Sequence, residues 1–237
     1  MSEPIRVALV AEGPTDRIVV ESALRAMLAE RSFVLVQLQP EGSLAFGDLG
    51  GGWGGVYRWC KQSARRGNGR LSMDRLLQQF DLVIIHVDAD VASLEYMDAN
   101  VVADIGDAAL PCERPCPPPS EATNALRQVV LSWCGENLIP DRTVICVPSK
   151  STEAWVVAML FPRDSAVVGE ISFECCPNPA ARLGQQSKRS RIKKAQRDYQ
   201  DRSSRLEAEW PRISAENGLS EAVRFRADIT NFIGAPS

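Results

Sequence analysis

Leu82–Asp90, LVIIHVDAD, is the stretch on which the fold turns. Apart from His86 its first six residues are apolar, the composition of a strand buried on both faces. Asp88 and Asp90 then close it, and two carboxylates so near each other at a strand end repel unless a cation sits among them. A buried strand of this kind belongs to a parallel sheet, where ligands bind beyond the carboxyl ends of the strands. His86, inside the apolar run, reads as a satisfied core histidine.

Outward from this segment the pattern repeats. Ile5–Ala11 (IRVALVA) is a second buried strand, ending in Glu12-Gly13-Pro14. From Thr15 to Glu30, Ile18, Val19, Ser22, Ala23 and Ala26 recur at helical spacing. Phe33–Gln39 and Thr143–Val147 are further strands, and Val56–Arg66 and Ser72–Phe80 read as short helices. The prolines of Pro111–Pro119 break the chain before a helix that Ser120 is placed to cap, and Ser151 is placed to cap another beginning at Thr152. Glycines crowd Gly42–Gly55 with no Gly-Lys-Ser/Thr to finish a phosphate loop, so this is expected to be a flexible surface loop.

Strands alternating with helices predict an α/β fold, a Rossmann-like parallel sheet flanked by helices, over residues 1–176. Residues 177–237 lack strand signals and are basic and helix-prone, so they are expected to form a helical C-terminal appendage packed on the sheet domain.

The bulk composition is that of a globular chain: 45% hydrophobic, 24% charged, net charge −3. No run is long and apolar enough for a membrane span, and the N-terminus lacks a signal-peptide pattern, so a cytoplasmic protein is expected. Seven scattered cysteines fit reduced thiols better than a disulfide framework, and one histidine leaves too few ligand pairs for structural zinc.

The carboxylates carry the chemistry. Glu12 and Asp16 follow the first strand, Asp88 and Asp90 the third, and Glu153 opens the helix after the fourth. A parallel sheet gathers such positions on one rim, a hard oxygen-rich site suited to Mg²⁺ or Mn²⁺. Asp16 and Glu153 also suit a helix start, where an acid favours the macrodipole. Between Lys188 and Arg205 stand eight Lys or Arg residues against Asp198 and Asp201, a run able to neutralise phosphates or to form a solvated helix face. Lys150, Arg182, Lys188, Lys193 and Lys194, with Tyr199, are the expected nucleic-acid contacts, and Trp155 reads as packing.

Glu12-Gly13-Pro14-Thr15-Asp16 after a short strand resembles the EGxTD signature of Toprim domains in the overcoming-lysogenization-defect nucleases. Asp88-Ala89-Asp90 resembles the Toprim DxD motif, and Glu153-Ala154-Trp155 the acidic-aromatic motif of small stand-alone bacterial Toprim proteins. The resemblance covers roughly the first 160 residues and departs from the family in its long Gly- and Pro-interrupted spacing. It implies that Glu12 ligates a metal or shuttles a proton and that Asp88 and Asp90 hold the metal. It further implies that Asp16 and Glu153 help hold a second metal, and that the activity is hydrolysis of DNA or RNA, in the setting of anti-phage defence.

Two other readings fit the same residues. A GT-A type glycosyltransferase also ends a buried strand with DxD, but the first strand here leads into EGPTD. A non-catalytic subunit would retain the fold and act with an ABC-type ATPase partner, an association the family resemblance implies; the chain has no Walker motif of its own.

Overall fold

A computed structural model describes residues 3–40, 49–169 and 172–234. Four strands, β1 (Ile5–Val10), β2 (Phe33–Gln39), β3 (Leu82–His86) and β4 (Thr143–Cys146), form one sheet in the order β2-β1-β3-β4. All three pairings are parallel, with Val10 opposite Ile85 and His86 opposite Cys146. The chain steps from β1 to β2 on one side and then crosses to β3 on the other. The switch point, where loops diverge and leave a crevice, is therefore between β1 and β3.

Alternation along each strand divides the core. Val7, Leu9, Leu82, Ile84, Val144 and Cys146 face one side, where α1 (Pro14–Met27) and α4 (Thr152–Leu160) pack. Ala8, Val10, Val83, Ile85 and Ile145 face the other, under α2 (Gly52–Arg66) and α3 (Pro119–Trp133). Four more helices, α5 (Pro179–Gln185), α6 (Gln196–Gln200), α7 (Ser203–Ile213) and α8 (Ser220–Gly234), add Leu183, Tyr199, Leu206, Trp210 and Phe225 to the first face. Every residue of α4 is buried as a result, enclosed between the sheet and these helices. Trp155 on α4 meets Trp210 at 5.2 Å and Phe225 at 6.0 Å between ring centres, the packing role expected of it.

Several local expectations are corrected. The segment read as a helix from Ser72 to Phe80 is two 3₁₀ turns, Leu71–Met73 and Arg75–Gln79, separated by Asp74, whose carboxylate accepts from the Leu76 N–H at 3.1 Å. Ser120 caps nothing: α3 starts at Pro119, whose missing N–H needs no acceptor. Ser151 occupies the N-cap position of α4 without a side-chain cap bond. Part of the glycine-rich stretch, 41–48, lies outside the described residues, but from Gly52 it is helix and not loop. Its glycines serve close approach: a Cβ on Gly55 would strike the Gly50 carbonyl and the Gln39 amide, and one on Gly54 would sit 2.7 Å from Ala99 Cβ.

The expectation of reduced thiols throughout is also overturned. Cys116 and Cys175 form a disulfide across a sequence separation of 59, tying the proline-rich segment before α3 to the turn Phe173–Cys175. The same bond removes Cys116 from any zinc pair with Cys112. Opening it releases a long loop in the unfolded chain, so Cys116→Ser is expected to lower unfolding free energy by about 2–4 kcal/mol. Urea midpoints with and without a dithiol reductant check this. A midpoint that ignores both reductant and substitution shows that the bond does not form in solution. Among the described residues no helix is long and apolar enough to cross a membrane.

Candidate metal centre at the switch point

Glu12 lies just past the end of β1 and Asp88 just past the end of β3, so both loops deliver a carboxylate to the crevice. They are tied together, because the Asp88 N–H donates to Glu12 Oε1 at 2.8 Å. The loops after β3 and β4 also run side by side: the Ala89 N–H donates to the Pro148 carbonyl at 3.0 Å and the Asp90 N–H to the Lys150 carbonyl at 2.9 Å. This brings Thr152 and Glu153, at the start of α4, beside the Asp-Ala-Asp segment. Asp88 does the capping that Ser151 does not: its Oδ1 accepts the Thr152 N–H at 2.9 Å and lies 3.1 Å from the Thr152 hydroxyl. Asp16, in the first turn of α1, turns back toward Glu12 and Asp88 and is only 3% exposed. Glu12, Asp16, Asp88, Gly52 and Lys194 line one cleft of about 390 Å³.

His86 belongs to this cluster. Its Nε2 lies 2.8 Å from the Thr152 hydroxyl and 3.5 Å from Asp88 Oδ1. Its Nδ1 has no hydrogen-bond partner among the described residues, so the core histidine expected to be satisfied is only half satisfied there. A signal for this was present: His86 and Asp88 are two apart on extended backbone, and alternation points both to one side. Asp16, His86 and Asp88 each offer a ligand atom, and the three atoms lie within 4.8 Å of one another.

The electrostatics are those of a buried acidic site. Burial, the repulsion of Asp16 and Asp90, and the opposing pull of the Asp88 N–H and Lys194 leave the Glu12 carboxyl pushed up to about 8. Burial and then the carboxylates of Asp16, Glu12, Glu153 and Asp90 raise Asp88 well above the usual carboxylate range. Asp90, at the outer lip, is raised by partial loss of solvent against the pull of Lys194. Burial holds His86 neutral against the attraction of Asp16 and Glu153. Glu153 moves the other way and is lowered, because Lys194 and neighbouring donors outweigh its burial.

Lys194 reaches in from the stretch between α5 and α6, with Nζ 3.0 Å from Glu153 Oε1, and the Tyr199 hydroxyl donates to the same oxygen at 3.2 Å. The structure therefore brings two of the expected nucleic-acid contacts onto Glu153, Tyr199 buried and Lys194 from the exposed rim. Lys150 sits at the rim in a left-handed conformation, φ 60°, and pairs with Glu113 at 3.4 Å. Arg182 is engaged elsewhere, by Asp164 and by Ser165 Oγ at 3.2 Å. Lys188 and Lys193 are exposed, as are Arg189 and Arg191, along the segment that carries Lys194 inward.

The donor set fits a divalent cation. Asp16 Oδ1, His86 Nδ1 and Glu153 Oε2 are buried with no hydrogen-bond partner among the described residues, and groups of this kind normally find one. Asp16, His86 and Asp88 could hold such an ion, Glu12 lines the same cleft, Asp90 lies at the lip and Glu153 is held on the Lys194 side. Among the described residues, fold and cluster together give an α/β protein with a four-stranded parallel sheet and a carboxylate–imidazole cluster at its switch point. Comparisons with family models, curated proteins and solved structures return no match.

Proposed function

We propose that the chain is a Mg²⁺- or Mn²⁺-dependent nuclease of Toprim type, hydrolysing phosphodiesters of DNA or RNA. The observation that carries this reading is the convergence of Glu12, Asp16 and Asp88 on one cleft, with the buried Asp16 Oδ1 left unpartnered beside a basic segment. When bound, a divalent cation supplies Lewis acidity toward a phosphoryl oxygen and lowers the pKa of a water ligand. The chain's own groups do the rest. Glu12, fixed by the Asp88 N–H, is placed to accept a proton from the attacking water and return it to the leaving oxygen. Asp16 and Asp88 would hold the ion, and Thr152 fixes the Asp88 carboxylate. Lys194 offers positive charge toward a phosphate in the cleft, and Lys188, Arg189, Arg191 and Lys193 extend that field along the surface.

In this reading the helices after residue 176 are the Toprim domain's basic extension, and anti-phage defence is the role the family resemblance supplies.

Incubating purified protein with plasmid, single-stranded DNA and RNA in Mg²⁺, Mn²⁺ or EDTA tests the proposal. Metal-dependent cleavage is expected, and metal binding without cleavage of any substrate favours a binding subunit that acts with an ATPase partner. A second expectation concerns the basic segment. Lys188→Gln combined with Lys193→Gln should weaken nucleic-acid binding similarly for all sequences. The slope of log K against log salt should fall by about 1–2. Fluorescence anisotropy across a salt series measures it, and an unchanged slope removes these lysines from the interface.

A further inference from the structure

We propose that His86 gives the switch-point centre a nitrogen ligand, so that the site selects manganese and similar transition dications over magnesium. The inference rests on reading the acidic rim as a divalent-cation site and goes further by naming the class of ion.

His86 is the last residue of β3 and is 0% exposed. A buried imidazole with no ligand to bind ordinarily satisfies both nitrogens, since an unpaired polar atom in the interior costs about 1–3 kcal/mol. Among the described residues Nε2 is engaged by the Thr152 hydroxyl and Nδ1 has no partner. Asp16, 3% exposed, likewise leaves Oδ1 unpartnered. Two independent unpartnered atoms of different chemistry, one nitrogen and one oxygen, thus come from β3 and α1. With Asp88, these residues supply three ligand atoms within 4.8 Å of one another.

The Thr152 hydroxyl fits the arrangement. It touches both His86 Nε2 and Asp88 Oδ1, at 2.8 and 3.1 Å, so one residue orients two of the three ligands. Thr152 is accordingly a positioning residue. Magnesium prefers an all-oxygen octahedron and keeps several waters, which a ring buried behind the carboxylates does not favour. A nitrogen ligand favours first-row transition ions over magnesium, least for manganese and increasingly for iron, cobalt and nickel.

The chain contains one histidine, so a nitrogen coupling can be assigned without a substitution. Full-length protein stripped of metal is loaded with Mn²⁺, and pulsed electron paramagnetic resonance looks for a nitrogen coupling. Protein labelled with ¹⁵N-histidine is expected to show that coupling shift from the ¹⁴N to the ¹⁵N pattern, which assigns it to His86. Competition should show Mn²⁺ preferred over Mg²⁺, and the preference should fall about tenfold or more in His86→Gln. Bound Mn²⁺ with no nitrogen coupling overturns the proposal while leaving the divalent site intact. Failure to bind Mn²⁺ at all overturns the divalent site and this inference together.

Discussion

Asp88→Asn is expected to abolish metal-dependent cleavage, by about 10³-fold or more, while leaving the metal-free protein at least as stable as the parent. The two halves of this expectation come from one side chain. Asp88 Oδ1 accepts the Thr152 N–H at 2.9 Å, a bond that an amide oxygen also accepts, so the start of α4 stays capped. The amide removes only the charge. The carboxylate is buried among Asp16, Glu12, Glu153 and Asp90, and each of them disfavours its ionised form. Without a cation this repulsion destabilises the fold, and Asn relieves it.

With a cation the balance reverses. The parent gains about 2.7 kcal/mol at a hundredfold excess of metal over its dissociation constant, and the variant gains little. Melting curves in EDTA and in Mn²⁺, beside a cleavage assay, separate the two effects. If Asp88→Asn melts far below the parent in EDTA, Asp88 is a structural residue and its assignment to the metal is wrong.

The metal-free protein is expected to lose stability as pH rises from about 4.5 to about 8, the interval over which Glu12 ionises later in the folded state than in the unfolded. Proton counting sets the sign. A raised carboxyl binds more protons folded than unfolded across this window, so stability falls with pH there. It is greatest below the unfolded pKa and flattens above the folded one.

Glu12 and Asp88, raised together by burial and mutual repulsion, lose stability in the same direction as a coupled pair. Glu153 has the opposite slope, since Lys194 holds it below its usual value and its stabilisation disappears on acidification. Chemical denaturation in EDTA between pH 5 and pH 8 measures the net slope. Glu12→Gln should flatten it, and so should saturating Mn²⁺, which replaces repulsion with attraction. A parent whose stability rises through this interval shows that the carboxylates are not crowded in solution as they are in the structure.

Much of this was legible in the sequence because it depends on short-range pattern. Apolar runs at Ile5–Val10, Phe33–Gln39, Leu82–His86 and Thr143–Cys146 form the sheet because a strand buried on both faces needs consecutive apolar residues. Glu12 and Asp88 come directly after such runs, and parallel strands carry the residues beyond their carboxyl ends to one edge. The order β2-β1-β3-β4 then sets Glu12 and Asp88 side by side.

Contacts between residues far apart in the chain were beyond the reach of sequence. Lys194 read as one cation in a basic run, and only the packing of α5 and α6 against α1 and α4 turns it onto Glu153. The cap of α4 comes from Asp88, 64 residues away, because the loops after β3 and β4 run in register; local capping rules point to Ser151. Cys116 and Cys175 are no more suggestive of a pair than the other five cysteines until the fold brings their Cα atoms to 5.5 Å. His86 shows the division within one residue. Its place in the strand is set by the hydrophobic pattern, but its unpartnered nitrogen depends on which side chains the sheet edge gathers around it.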